Sequence, residues 1–359
     1  MSLQVSLRHQ VGRWAFALIT TLALCGISTA QKYEQKNLVS DVPGLAKVTD
    51  PNLVNAWGID FSGGSPVWVA DNHTGLSTLY TGTGSIVPLV VTIPPPKGVE
   101  ITASPTGLVF NGFGAFTVRA HDKSGASVFI FDTEDGTISG WSPGVDLTHA
   151  ILAVDNSGSG AVYKGLAIGQ NANGTFIYAS NFNSGWVEQY DSSFKWVRSF
   201  TDPTLPAGYA PFGIRTLNGM LYVTFALQDA AKHDDTKGPG HGFVDIFDLD
   251  GNMIKRLTSH GALNSPWGLE IAPANFGQFS GALLVGNFGN GHINAFDPMT
   301  GTPLGHMIRP SGVTLEISGL WGLHFGNGAA AGPTNTLLFT AGPQDESHGL
   351  FGSIALPGK

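Results

Sequence analysis

The chain has 359 residues, a formal net charge of −8, only 12% charged residues, 49 glycines and one cysteine. Globular chains usually carry ~25% charged residues and ~7% glycine, so the balance here describes a turn-rich β protein. The acidic excess excludes non-specific nucleic-acid binding, and one thiol excludes disulfide scaffolds, zinc–cysteine sites and iron–sulfur clusters.

In chain order, residues 1–30 read as an export signal. Arg8 and Arg13 form a basic start, "WAFALITTLALCGI" is the apolar run, and Ser28 to Ala30 supply small residues before cleavage at Ala30/Gln31. Lipidation at Cys25 is the alternative, but Leu24 stands where a lipoprotein signal wants a small residue. Cleavage removes Arg8, Arg13 and Cys25, taking the charge from −8 to −10. The run is too short for a stable membrane span, so residues 31–359 are expected as one secreted or periplasmic domain.

That domain repeats. "NAWGIDF", "SPTGLVF", "VYKGLAI", "APFGIRT", "SPWGLEI" and "GLWGLHF" share an X-Gly-aliphatic lead at Gly58, Gly107, Gly165, Gly213, Gly268 and Gly322, spaced 49, 58, 48, 55 and 54 residues apart. Each lead is followed by short apolar strands such as "PVWVADN", "AFTVRA", "TFIYASN" and "ALLVGNF". Four strands at a period near 50 predict the blades of an all-β, six-bladed β-propeller, rather than an irregular β-sandwich. The lead glycines let the innermost strands approach around the channel. The last unit has only three strands, whereas Tyr33–Val42 has no repeat of its own. Pairing of this N-terminal strand with the last blade would close the ring and remove a free edge.

"SPWGLEIAP" followed by "LLVGNFGNGHINAFDP" resembles the NHL-repeat pattern, and "VWVADNHTGLSTLY" echoes it. From about Asn37 to Leu356 the chain also resembles a family of uncharacterised exported bacterial proteins, some with a C-terminal PEP-type sorting tail. That resemblance rests on "NLVSDVPGLAKVTDPNLVNAWGI", "FDTEDGTISGW", "AKHDDTKGPGHGFVDIFD" and "GLFGSI". It implies a location and a fold more than a chemistry. After "SIALPGK" there is no hydrophobic, basic tail.

Function is expected on the face formed by the loops between second and third strands, read as "DNHTG", "RAHDKSG", "SNFNSG", "LQDAAKHDDTKGPGHG", "GNFGNG" and "GPQDESHG". The candidate ligand residues are Asp71, Asn72, His73, His121, Asp122, Asn181, Asp229, His233, Asp234, Asp235, His241, Asn287, Asp345, Glu346 and His348. His233, Asp234 and His241 are the candidate ligands for a divalent cation, Ca²⁺ or Zn²⁺. The same residue types also cap tight turns. The fourth loop is far longer than its sisters, and long ordered loops are commonly functional. Glu134 and Asp135 read first as a hairpin turn, and Trp57, Trp267 and Trp321 as inter-blade packing. No GxSxG, Walker or dinucleotide motif stands in a suitable context. The expected protein is therefore a monomeric binding or scaffold module for a protein, glycan or small molecule. The alternative is a metal-dependent hydrolase or lyase, lactonase- or esterase-like.

Overall fold

A computed structural model describes residues 1–4 and 31–358. The expected signal segment and its cleavage site lie largely outside the described residues. Gln31–Lys359 forms one compact unit. Among the described residues, helix is confined to two 3₁₀ turns, and no helix is long and apolar enough to cross a membrane.

Six sheets make the propeller, five of four antiparallel strands and one in which a fifth strand joins the four. Blade 1 comprises Ala56–Asp60, Val67–Asp71, Leu76–Tyr80 and Ile86–Thr92. Blade 2 comprises Pro105–Phe110, Phe129–Thr133, Thr137–Trp141 and Ile151–Asp155. Blade 3 comprises Tyr163–Asn171, Gly174–Asn181, Trp186–Asp191 and Trp196–Phe200. Blade 4 comprises Tyr209–Leu217, Met220–Leu227, Phe243–Phe247 and Met253–Ser259. Blade 5 comprises Pro266–Ile271, Leu283–Asn287, Ile293–Phe296 and Pro303–His306. Blade 6 comprises Leu320–Phe325, Leu337–Ala341 and Leu350–Ala355, and takes its outer strand from Glu34–Ser40.

The N-terminal strand runs antiparallel to the last one, from Glu34 opposite Ala355 to Ser40 opposite Leu350. Ring closure is thus as expected, and Val48–Thr49 adds a short fifth strand in parallel beyond it. Apolar clusters fill each gap between neighbouring blades, for example Trp68, Leu79, Leu108, Phe129 and Trp141 between blades 1 and 2. A seventh, aromatic cluster sits on the axis.

The repeated X-Gly has a structural cause. In every blade the pairing of the inner strand with the second strand slips at this dipeptide, as between Tyr163 and Leu166 or Leu320 and Leu323. A bulge re-aims a side chain, and here the slip turns residue X towards the axis. The glycine lies where the next blade's backbone passes. A Cβ on Gly268 would stand 2.6 Å from the Trp321 carbonyl oxygen, and one on Gly213 would overlap the Trp267 carbonyl oxygen.

Blade 2 differs from the expected strand order. "AFTVRA" is not its second strand; Thr117–Ala120 pairs only with Lys123–Ala126, as a hairpin inserted between the first and second strands. The true second strand is Phe129–Thr133, so the loop between second and third strands carries Glu134 and Asp135. His121 and Asp122, both with left-handed backbone, form the tip of the inserted hairpin instead. The alternation of "AFTVRA" suits a two-stranded ribbon as well as a blade strand, which is why pattern alone misplaced it.

Candidate ligand site at the channel mouth

The six X residues are Trp57, Thr106, Lys164, Phe212, Trp267 and Trp321. Trp57 stacks on Trp321 with centroids 3.6 Å apart, and Phe288 stacks on the same indole at 3.8 Å. Trp267 meets both tryptophans edge-on. Lys164 interrupts this aromatic floor, with its ammonium 5.3 Å from the Trp57 ring centroid and 5.9 Å from that of Phe182.

Lys164 is only 2% exposed and pairs with Glu134 and, at 3.2 Å, with Asp234. Burial alone would push the ammonium down, but the two carboxylates outweigh it and hold the lysine above its usual value. Glu134 also accepts a bond from the Asn72 amide at 2.9 Å. The Asn55 amide donates to Asn72 at 3.1 Å and to Glu346 at 2.9 Å, while its carbonyl oxygen accepts from the Trp321 indole at 3.0 Å. One polar network therefore joins blades 6, 1, 2, 3 and 4.

The long loop of blade 4 owes its length to what it reaches. Asp229 accepts from the backbone amides of His233 and Asp234, at 2.9 and 3.3 Å, and shapes the tip. Asp234 then meets Lys164 of blade 3. Further along, the Lys237 ammonium lies 4.3 Å from the Phe288 ring centroid of blade 5 and 3.5 Å from Asp345 of blade 6. The loop thus spans the mouth over the aromatic floor.

Electrostatics at the mouth are strongly coupled. The His233 ring, 2.9 Å away, and then Lys164 hold the Asp234 carboxyl far below the usual range, and Asp234 in turn raises His233. Burial, reinforced by the charge of Glu134, pushes Glu346 up to about 7. Gln344, Asp345 and Glu346 all adopt left-handed backbone conformations. Three such non-glycine residues in succession are costly, and such strain clusters at ligand sites.

Of the expected residues, Asn72, His233, Asp234 and Glu346 converge here, with Asp345 at the rim. Asp71 is fully buried, and burial holds its carboxyl well above the usual range. Asp235 is also pushed up by burial. His73 is exposed. Asn181 serves Glu188 at 2.8 Å, and Asn287 serves the Ala262 carbonyl at 2.8 Å. His348 is turned to Asp41 at 2.6 Å, and His241 to the Thr236 carbonyl at 2.9 Å. Among the described residues, the donor atoms within metal reach are those of Glu134, His233 and Asp234, all within 4.8 Å of one another. His241 is not among them. The Lys164 ammonium bonds the facing oxygens of both carboxylates, so a cationic group already stands between them.

Sequence reasoning missed Lys164 and Asn55, although Lys164 occupies the repeat position of the tryptophans, and it set Glu134 aside as part of a hairpin turn. It also missed a second network below. Two residues past the lead glycines stand Asp60, Arg215, Glu270 and His324. His324 lies 3.2 Å from Asp60 and 3.1 Å from Glu270, and Arg215 lies 3.2 Å from Glu270. Asp60 and Arg215 line a channel cavity of about 100 Å³.

This architecture defines a six-bladed β-propeller. No family model matches the chain. It belongs to the family of two uncharacterized proteins of Acanthamoeba polyphaga mimivirus. It is 33% identical to R648 over 328 residues, 88% of this chain and 78% of that protein. Identity to L690 is 31% over 329 residues, 88% and 84% respectively. Both relatives are viral, and neither lends support to a bacterial, tail-sorted family. Similar solved structures include a catalytically inactive virginiamycin B lyase from Staphylococcus aureus with quinupristin, at TM-score 0.52 and 13% identity over 90% of this chain and 99% of that one. The Neurospora crassa Pan2 WD40 domain matches at TM-score 0.52 and 10% identity, over 92% and 97%. At these identities the likeness shows the fold alone.

Proposed function

We propose that the chain is a binding module whose channel mouth holds an acidic group, of a small molecule or a partner, on the Lys164 ammonium. The observation that carries this reading is an asymmetry: Lys164 is 2% exposed, whereas the Asp234 side chain bonded to it is 66% exposed and sits on a loop. A solvated loop carboxylate on a buried ammonium occupies the place a ligand carboxylate would take. Asn55, Asn72 and a protonated Glu346 supply hydrogen-bonding groups around it, and the indoles supply an apolar floor.

Thermal shift and calorimetry with acetate, malate, citrate and glucuronate test this. At least one is expected to stabilise the wild-type protein and to fail with Lys164→Met. Binding should strengthen as pH falls through about 7, because protonation of Glu346 removes a competing negative charge. No response from any of the four acids contradicts the reading.

One observation favours a second reading, a metal-dependent hydrolase or lyase: the grouping of Glu134, His233 and Asp234. It requires Lys164 to leave the two carboxylates. Stoichiometric metal in the purified protein, lost in Asp234→Ala, would support it over the first.

Glu346 also makes a stability prediction. Its folded value of about 7 lies above the ordinary 4.5. Its contribution is therefore fully present below about 4.5 and is lost as pH rises through about 7. Glu346→Gln should flatten this part of the profile, making the variant ~1–3 kcal/mol more stable relative to wild type at pH 8 than at pH 4. Chemical denaturation at the two pH values measures it.

A further inference from the structure

The outer half of blade 3 carries a feature the mouth does not use. Trp186 is 45% exposed and Trp196 is 60% exposed in a protein that buries most of its large aromatics. With Ser184, Glu188, Arg198 and Ser199 they line one open surface depression of about 490 Å³. Exposed indoles flanking fixed polar groups are characteristic of recognition surfaces.

The polar groups are fixed from behind. The Glu188 carboxylate accepts from the Tyr163 hydroxyl at 2.7 Å, the Tyr190 hydroxyl at 2.5 Å and the Asn181 amide at 2.8 Å. Asn156 donates to both tyrosine hydroxyls at 2.7 Å. Arg198 is tied to the Asp250 carbonyl oxygen of blade 4 at 2.7 Å, and the Trp196 indole donates to Ser199 at 3.1 Å. Such a supporting shell presets the groups that face the ligand.

We infer that this depression is a binding site for a neutral hexopyranosyl oligosaccharide. Its chemistry selects that class. A pyranose presents an apolar C–H face to an indole, and its edge hydroxyls both donate to a carboxylate and accept from a guanidinium. Arg198 disfavours a cation between the tryptophans, and Glu188 disfavours an anion. A neutral ligand with both donors and acceptors satisfies both charges.

The test is indole ¹⁵N–¹H NMR and calorimetry of the protein with maltopentaose, cellopentaose and chitopentaose, each at ~10 mM, where a Kd of ~1 mM is near saturation. The expected result is that at least one sugar shifts the Trp186 and Trp196 indole resonances. Its affinity should fall about tenfold or more in Trp196→Ala, whereas the response to the four acids at the mouth should be unchanged in that variant, which separates the two sites. The inference is overturned if no sugar moves either resonance, or if Trp186→Ala/Trp196→Ala binds as wild type. It is equally overturned if the patch proves a self-contact, with the double variant changing the sedimenting mass and sugars having no effect.

Discussion

Replacing Lys164 by methionine should cost the fold ~3–5 kcal/mol, the usual penalty for removing one partner of a buried ion pair. The loss falls mainly on Glu134, whose side chain is 13% exposed and would lose its ammonium partner while retaining the hydrogen bond from the Asn72 amide. Asp234 returns easily to water and adds little. The double variant Lys164→Met/Glu134→Gln should recover most of the loss, because no uncompensated charge remains. Urea denaturation of the two variants and wild type decides this; equal stability of single and double variants would mean that Lys164 packs rather than pairs.

The second large effect is expected at the lead glycines. A methyl group on Gly213 meets the Trp267 carbonyl oxygen of the next blade's inner strand. Backbone there cannot turn aside as a side chain does, so Gly213→Ala should cost ~3 kcal/mol or more, at or beyond the upper end of ordinary overpacking. Gly63→Ala is the control, since nothing lies within 4 Å of where the new Cβ would stand. Calorimetric melting should show a large fall in Tm for the first and almost none for the second.

These effects share an origin in the X-Gly bulge, and that bulge explains what was legible. The period of the six leads specifies the blades, because each inner strand must meet the same crowding at the axis. Closure was legible too, since a three-stranded last unit and an unpaired first strand complete each other. Lys164 stood in plain view within "VYKGLAI", but its neighbours in the repeat were aromatic and suggested packing. Only the register slip reveals that this position faces the axis. Glu134 was hidden differently. It does belong to a tight turn, and the same turn delivers its carboxylate to Lys164. The inserted hairpin Thr117–Ala126 hid this by mimicking a blade strand and moving the blade 2 loop to His121 and Asp122.

The reach of the blade 4 loop was not legible. Length signals that a loop does something, but contacts from Asp234 to blade 3 and from Lys237 to blades 5 and 6 depend on ring geometry. The Asp60, Arg215, Glu270 and His324 network was recoverable in principle. All four sit two residues after a lead glycine, and aligning the repeats by that glycine places them at one level of neighbouring inner strands.

If Asp234 holds the place of a ligand's acidic group on Lys164, the binding-competent fraction rises when Asp234 is removed, and apparent affinity rises with it. Calorimetric titration of citrate, or of whichever of the four acids binds best, into wild type and Asp234→Ala tests this directly. The variant should bind more tightly, about threefold to tenfold, as expected when a competing surface-exposed pair worth ~1 kcal/mol is lost. Equal or weaker binding by Asp234→Ala would contradict it.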